Sequence, residues 1–223
     1  PTLFRSAEIN DEPGAETVDL INNNGGAAAL FLLDVTDLNS VNKMVSETIE
    51  RYETIDVLVN NAAAFVMGTV EDASEDDWLR VFKTNVIGYA NCIKAVTPVF
   101  RKAGGGSIIN MASVSSFIAQ PEFVPYNASK GAISQLTRCS ALDLASDNIR
   151  VNAISAGPLE TLSSRWIHGF TDMKHVHAAK SPLNRNITHK EVGNVALFLA
   201  SDMSSGVTGT IMLVDAGYHI MAI

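Results

Sequence analysis

Short apolar segments alternate with longer amphipathic segments along this chain, and this alternation constrains the fold more than any other feature. The apolar segments are rich in β-branched side chains and are apolar at successive positions, which is typical of strands buried on both faces of a parallel sheet. The predicted strands are residues 3–9, 27–33, 55–59, 107–111, 149–154 and 211–214. The predicted helices are residues 38–51, 76–102, 126–145 and 191–200. Strand and helix in this order predict an α/β fold with a doubly wound parallel sheet, in one domain spanning residues 1–223.

Polar residues mark the starts of three of the predicted helices. Asp37 is a candidate N-cap for the first of them. Ser74 with Asp77, and Thr188 with Glu191, have the spacing of a capping box, in which each side chain bonds a free backbone N–H group of the other residue. These residues therefore predict where the helices begin.

The composition excludes several classes of function. The chain has 16 Lys and Arg against 24 Asp and Glu, a formal net charge of -8, and this field would repel the phosphates of a nucleic acid. No apolar run is long enough to cross a membrane, and the first residues lack the apolar core of a signal peptide. Cys92 and Cys139 lie in mostly apolar helical stretches, so we expect both thiols to be buried. These features predict a cytoplasmic protein without nucleic-acid or membrane partners.

The segment from about 159 to 186 has no clear period and interrupts the alternation. It contains Trp166, Phe170 and three of the five histidines. In a fold of this type, we expect such an insert to form a lid over a ligand site. His175 and His177 have no third candidate ligand nearby in the sequence, so we predict no metal site.

Small and hydrogen-bonding residues follow the predicted strands. Doubly wound folds bind their ligands outside the carboxyl ends of the strands, so function is expected at these positions. They are Asp34, Asn60, Asn61, Ser113 and the segment 155–158.

Ser113, Tyr126 and Lys130 form the strongest candidate catalytic group. Tyr126 precedes Lys130 by four residues, which places both side chains on one face of a helix. A phenol with an ordinary pKa near ~10 is a poor acid-base catalyst at neutral pH, and a neighbouring ammonium group lowers that pKa. The Ser113 hydroxyl, placed after a strand, can orient a substrate oxygen. The group therefore predicts proton transfer by Tyr126.

Seven motifs in one order, this group included, resemble those of the short-chain dehydrogenase/reductase family. Residues 126–130 (Tyr-Asn-Ala-Ser-Lys) resemble the family's Tyr-x-Ala/Ser-Ser-Lys signature, and Ser113 stands thirteen residues before Tyr126. The other matching segments are residues 34–37, 60–63, 84–86, 157–161 and 214–217. The resemblance implies a Rossmann-type fold and an NAD(P)-dependent oxidoreductase acting on a CH–OH group. It also implies a homotetramer or homodimer. We expect its interfaces to be formed by the long helices from Asp76 and Tyr126 and by the apolar tail from Tyr218 to Ile223.

The resemblance implies a role for each matched residue. Tyr126 would be the general acid in reduction and the base in oxidation, Lys130 would lower its pKa and hold the nicotinamide ribose, and Ser113 would bind the carbonyl oxygen. Asn85 would place a water that connects Lys130 to solvent, and Asn61 would tie strands together. The implied catalytic residues are Asn85, Ser113, Tyr126 and Lys130. The implied cofactor-binding residues are Glu8, Asp34, Val35, Asn60, Ala62, Tyr126, Lys130, Pro158, Leu159 and Thr161. The implied substrate-binding residues are Ser113, Phe123, Tyr126 and Trp166.

The sequence departs from the family at several glycines. It has no Gly-x-x-x-Gly-x-Gly turn, which the family places after its first strand to bind the cofactor phosphates. We interpret the sequence as part of a longer chain that contains this strand and the Gly-rich loop; the alternative is that the phosphate-binding turn is absent. Ala63 and Ala216 replace family glycines, and alanine is unfavourable wherever the backbone needs a positive φ.

Glu8, after the first predicted strand, bears on the choice of cofactor. A carboxylate at this place accepts hydrogen bonds from the ribose 2′-OH and repels a 2′-phosphate. This favours NAD. Arg5 and Ser6 lie nearby and favour NADP, the cofactor that carries a 2′-phosphate. We predict NAD, with NADP the less favoured cofactor.

The sequence leaves two other functions open. Residues 155–162 and 186–223 resemble enoyl-acyl-carrier-protein reductases, but those enzymes place a tyrosine seven residues before the lysine, where this chain has Phe123. A non-catalytic oligomerisation protein with the same fold is the third hypothesis, which the missing Gly-rich turn favours and the intact catalytic group opposes. Hydride transfer between NAD(H) and a carbonyl or secondary alcohol substrate is the function that the sequence predicts, without naming the substrate.

Overall fold

Strands and helices alternate along the chain, as the sequence predicts. The computed structural model describes residues 3–161 and 169–221, and the predicted substrate-binding residue Trp166 lies outside them. The strands are β1 (Leu3–Glu8), β2 (Ala27–Leu32), β3 (Val57–Asn60), β4 (Gly106–Met111), β5 (Ile149–Ala156) and β6 (Ile211–Val214). The α-helices are α1 (Asp11–Asn23), α2 (Leu38–Tyr52), α3 (Glu75–Phe82), α4 (Gly88–Ala103), α5 (Val124–Leu144), α6 (Phe170–Lys180) and α7 (His189–Ala200).

All the ladders in the described part of the chain are parallel. β1 pairs with β2 in a two-stranded sheet, and β3, β4, β5 and β6 form a second sheet in that order. No ladder joins β1 to β3 among the described residues. Parallel strands need long crossovers, and the helices supply them. The doubly wound α/β fold that the sequence predicts is therefore confirmed.

The four-stranded sheet is covered on both faces because its side chains alternate between two cores. Ile108 packs in a cluster with residues of α2, α4 and α5, whereas the adjacent Ile109 packs with Leu199 of α7. Both isoleucines are fully buried. A strand with an apolar core on each face must be apolar at successive positions, which accounts for the apolar runs in the sequence.

The predicted helix starts are confirmed. The Asp37 carboxylate accepts a hydrogen bond from the Asn39 N–H at 2.9 Å. Ser74 with Asp77, at α3, and Thr188 with Glu191, at α7, form reciprocal capping boxes.

The structure corrects three expectations about helices and thiols. The helix predicted over residues 76–102 contains a π-helical turn, Lys83–Ile87, which joins α3 to α4. Helix α1 was not predicted, because it buries only Gly14 and so has no apolar stripe to recognise. Cys92 is buried as expected, but Cys139 is exposed on α5, and the prediction that both thiols are buried is wrong for it.

Among the described residues, no helix is both long enough and apolar enough to cross a membrane. Helix α6 lies within the insert from about 159 to 186, which the sequence left without a period.

Candidate active site

The candidate catalytic residues meet where β4 ends and α5 begins. Ser113 follows β4 by two residues and caps a short 3-10 turn through its hydroxyl, which accepts from the Ser115 N–H at 3.2 Å. Tyr126 and Lys130 lie in the first two turns of α5, which packs against β5 and that turn. The structure thus brings together the three residues that the sequence singled out.

Lys130 is held inside the protein by backbone rather than by a carboxylate. Its side chain is buried, and its Nζ donates to the Met111 carbonyl oxygen at 2.8 Å. The Nζ also lies 5.6 Å from the centroid of the Tyr126 ring. Because burial disfavours the charged ammonium, the pKa of Lys130 is lowered to about 7.

The pKa of Tyr126 is shifted in the direction opposite to the one expected. Burial raises this pKa to about 12, and the smaller effect of the Ser113 side chain lowers it. Lys130 was expected to lower the pKa of Tyr126. Burial lowers the pKa of the lysine as well, so the lysine is less fully protonated at neutral pH. Desolvation therefore favours the neutral form of both groups in this structure.

Asn85 lies in the π-helical turn and is fully buried. Its Oδ1 accepts from the Ala64 N–H at 2.7 Å, and its Nδ2 donates to the Ala64 carbonyl at 3.0 Å and to Ser129 Oγ at 2.9 Å. The side chain therefore fixes the loop after β3 to the helix that carries Tyr126. Its proposed part in placing a water stays a prediction.

Asn60 has the structural role that the sequence suggested for Asn61. The Asn60 Nδ2 donates to Asn110 Oδ1 at 2.9 Å, and Asn110 in turn donates to Thr137 Oγ1 at 3.0 Å. Asn60, not Asn61, therefore ties β3 to β4 and α5. Asn61 and the predicted cofactor residue Ala62 are both exposed at the end of β3.

The residues expected on the adenosine side of the cofactor lie at the ends of β1 and β2. Glu8 Oε1 accepts from the Ile9 N–H at 2.9 Å and the Asn10 N–H at 3.3 Å, which fixes the carboxylate at the end of β1. Asp34 is exposed, and its Oδ1 accepts from the Thr36 N–H at 2.9 Å. A methyl group added at Gly88 would lie 2.6 Å from a methyl carbon of Val35, so this glycine lets Val35 pack closely on α4.

The segment after β5 carries the remaining predicted cofactor residues. Pro158 and Leu159 are half-buried, and Thr161 is exposed. Ala216, after β6, has a φ of 56°, which confirms that this position needs a positive φ that favours glycine. No group of three or more potential metal ligands occurs among the residues that the structure describes.

Sequence reasoning missed two residues of the site. Met111 supplies the carbonyl that holds Lys130, a backbone role that no side-chain pattern signals. Phe65 contacts Tyr126 with its ring, and its aromatic character in the loop after β3 was the available signal.

Comparison with known proteins identifies the family. A family model described as Enoyl-(Acyl carrier protein) reductase matches residues 6–219. This chain belongs to the short-chain dehydrogenase/reductase family of oxidoreductases.

Relatives and solved structures agree on this class. Trans-4-hydroxycyclohexanecarboxylate dehydrogenase of Sinomonas cyclohexanicum is 37% identical over 218 residues, which cover 95% of this chain and 81% of that protein. A gluconate 5-dehydrogenase from Burkholderia cenocepacia J2315, in complex with NADP and tartrate, superposes with a TM-score of 0.89 at 31% identity and covers 98% of this chain and 86% of its own. A NAD+-bound xylitol dehydrogenase has a TM-score of 0.89 at 30% identity, with 96% and 88% covered. All three are dehydrogenases.

Proposed function

We propose that this protein transfers a hydride between NAD(H) and a carbonyl or secondary alcohol substrate, with Tyr126 as the general acid and base. The observation that carries the proposal is the placement of Ser113, Tyr126 and Lys130 together at the carboxyl end of β4, in a chain whose relatives are dehydrogenases. The bound nicotinamide would supply the hydride chemistry, and the residues of the chain supply the proton and the orientation of the substrate.

The proton would move at the Tyr126 hydroxyl. With a pKa of about 12, this hydroxyl is protonated at neutral pH and ready to donate to the oxygen of a carbonyl substrate. In alcohol oxidation the same group must first lose its proton, so the oxidation rate is expected to rise with pH from neutral into the alkaline range. The Ser113 hydroxyl would hold the substrate oxygen beside Tyr126.

Lys130 and Glu8 fit a nicotinamide cofactor by the chemistry of their groups. With a pKa of about 7, Lys130 is divided between amine and ammonium at neutral pH. Either form has an N–H donor beyond the one that its hydrogen bond to Met111 uses, and this donor can bond a ribose hydroxyl. The Glu8 carboxylate is fixed at the end of β1, where it would accept from a ribose 2′-OH. Asp34 would lie towards the adenine.

The surroundings of Glu8 favour NAD over NADP. Arg5 does not offer its charge to a 2′-phosphate, because its guanidinium lies 3.3 Å from the Glu47 carboxylate and 5.0 Å from the Phe31 ring centroid. The negative charge of Glu8 is then held at the strand end by the Ile9 and Asn10 N–H groups, where it would repel a 2′-phosphate. Replacing Glu8 with glutamine is expected to reduce the ratio of NAD to NADP affinity, as measured by fluorescence titration of both reduced cofactors.

The test of the proposed chemistry is Tyr126→Phe. The change is expected to lower kcat for alcohol oxidation by about 10³-fold, since general acid-base catalysis contributes roughly 10²–10⁴-fold, with folding unchanged by circular dichroism. Tyr52→Phe, the same change at the end of α2, is the matched control and should keep full activity. A Tyr126→Phe protein within tenfold of the native rate would contradict the proposal.

Reduction of an enoyl thioester is a second candidate, which the description of the matching family model favours. The position seven residues before Lys130 is Phe123, whose ring has no proton to transfer. NADH oxidation with a crotonyl thioester, absent with a ketone, would favour this alternative over the proposed one.

Assembly as a homotetramer or homodimer is also proposed. Leu142 on α5 is 80% exposed and Ile220 in the tail is 69% exposed, which is costly for large apolar side chains in water. Deletion of residues 220–223 is expected to weaken assembly, measured as molar mass by light scattering. An unchanged mass would show that the tail forms no interface.

A further inference from the structure

Two phenylalanine rings pack against the ring that carries the candidate catalytic hydroxyl. The Phe65 ring centroid lies 4.9 Å from that of Tyr126, at an interplanar angle of 61°, and 5.1 Å from that of Phe123, at 72°. Phe123 and Tyr126 lie 6.4 Å apart. These edge-to-face contacts join the three residues, which we call the aromatic cluster, into one packed unit.

The loop that carries Phe65 is fixed on both sides of that residue. Ala64, directly before it, exchanges two backbone hydrogen bonds with the buried side chain of Asn85. Gly68, three residues after it, donates to the Glu122 carbonyl at 2.6 Å and accepts from the Val124 N–H at 3.2 Å. The position of Phe65 is therefore set before any ligand arrives, and a substrate must fit the ring rather than displace it.

The cluster sets the chemistry of the surface that a substrate meets next to its reacting carbon. The polar side-chain groups that the mechanism uses for the substrate oxygen are the hydroxyls of Ser113 and Tyr126. The half-buried ring of Phe65 offers no strong hydrogen bond to any further hydroxyl group. Phe123 is only 7% exposed and packs against the Phe65 ring in the interior. A substrate carrying several hydroxyls would lose their hydrogen bonds to water on the Phe65 ring, whereas the methylene groups of an apolar ring would gain from burial.

We infer that this site takes apolar cyclic secondary alcohols and the corresponding ketones rather than polyols, and that Phe65 determines this specificity. The inference rests on the proposed function and names its substrate class. Phe65 acts by contact with the substrate ring and takes no part in proton transfer.

The test compares two alcohols that share a six-membered carbon ring. Cyclohexanol has one hydroxyl group, and myo-inositol has one on every ring carbon. With NAD, kcat/KM for cyclohexanol is expected to exceed that for myo-inositol by at least about 100-fold, at about tenfold for each hydroxyl that loses a hydrogen bond. Phe65→Ser is expected to reduce this ratio by about tenfold or more, through KM for cyclohexanol.

Two further variants separate specificity from folding. Phe65→Leu keeps an apolar side chain and should largely keep the preference for cyclohexanol. Phe82→Ala removes one ring of the Trp78–Phe82 pair of α3, whose centroids lie 6.0 Å apart, and should leave the ratio unchanged. If Phe65→Ser lowers kcat/KM equally for both alcohols, or if the native protein prefers myo-inositol, the inference is overturned while the proposed function stands.

Substrate binding is measured as well as turnover, so that a failure of the proposed hydride transfer can be told from a failure of the proposed substrate preference. Ligand-detected NMR with the NAD-loaded protein compares the binding of cyclohexanol and of myo-inositol. Cyclohexanol binding that Phe65→Ser abolishes would support the inference even where neither alcohol is oxidised, a result that would count against the proposed function alone. Equal binding of both compounds would overturn the inference.

Discussion

The two sheets of this protein differ in how deeply they are buried, and the candidate site divides between them. In the four-stranded sheet, Ile109 and Ile154 are completely inaccessible to solvent. In the two-stranded sheet, Phe4 is 45% exposed and Leu32 is 54% exposed. The candidate catalytic residues lie at the end of the four-stranded sheet, and Glu8, which is proposed to select the cofactor, lies at the end of the two-stranded one. Burial is therefore greatest in the sheet that positions the candidate catalytic group.

The two sheets also differ in their helix cover. α4 and α5 lie on one face of the four-stranded sheet and α7 on the other, so its central strands β4 and β5 have an apolar core on both faces. Val59 of the edge strand β3 is 49% exposed. The β1–β2 pair is covered chiefly by α1 and α2, and α1 buries only Gly14. Fewer apolar contacts mean a lower local free energy of unfolding.

The largest effect on stability is expected from a truncation in the buried sheet. Ile109→Ala should lower the free energy of unfolding by about 2–5 kcal/mol, because it leaves a cavity among α7, β4 and β5. Phe4→Ala, the matched truncation in the exposed sheet, should cost under about 1.5 kcal/mol. Urea titration measures both, and equal losses would show that the two sheets are equally well supported.

A change at Lys130 tests how well the four-stranded sheet and α5 exclude water, because burial there disfavours the charged form of the lysine. In the folded protein the pKa of Lys130 is about 7, against an ordinary value of 10.5. Between these two pH values the unfolded chain binds a proton that the folded chain lacks, so this group makes stability rise with pH. Lys130→Met removes that dependence and should stabilise the fold by about 2–4 kcal/mol at pH 6, with the gain vanishing towards pH 10.

The readout for Lys130→Met is the difference in free energy of unfolding between the variant and the native protein, followed across pH without cofactor. Subtracting the two curves removes the contribution of every other titrating group. A difference independent of pH would mean that the lysine stays charged in the folded protein.

The smallest effect is expected at the ion pair that links the exposed sheet to α2. Arg5 and Glu47 are 3.3 Å apart, and the Glu47 side chain is 40% exposed. Glu47→Gln should lower stability by less than about 1 kcal/mol, and raising the salt concentration should reduce that loss further. Lys43→Gln, a change at a more exposed residue that contacts the same carboxylate at 3.9 Å, is the control and should have still less effect. A loss above 2 kcal/mol at Glu47 would show that the β1–β2 pair depends on this bridge.

Much of the fold and the centre of the site could be predicted because both depend on local patterns. The strands were readable from apolar runs, and Tyr126 with Lys130 from helical spacing. Side-chain direction at the end of a strand was not readable, since it depends on distant partners. Asn60 points into the core only because Asn110 and Thr137 are there to receive it, so the roles of Asn60 and Asn61 could not be assigned from their order.

Other errors have the same origin in tertiary contacts. Helix α5 carries apolar side chains on its outer surface, Leu142 among them. Apolar neighbours in the sequence were therefore no sign of burial, and Cys139 is exposed. The upward pKa shift of Tyr126 likewise depends on how completely the assembled fold excludes water, which spacing along a helix does not measure.

The π-helical turn also fixes the rotational phase of α4 relative to α3. Each residue of an α-helix advances the side chain by about 100°, so the wider turn at residues 83–87 resets which side of α4 faces the sheet. Val81 before the turn and Tyr89, Cys92 and Phe100 after it all reach the interior with this spacing. Removing one residue from the turn would rotate α4 relative to α3 and turn the buried apolar side of α4 towards water. The number of residues in this segment is thus as much a determinant of the core as their identity.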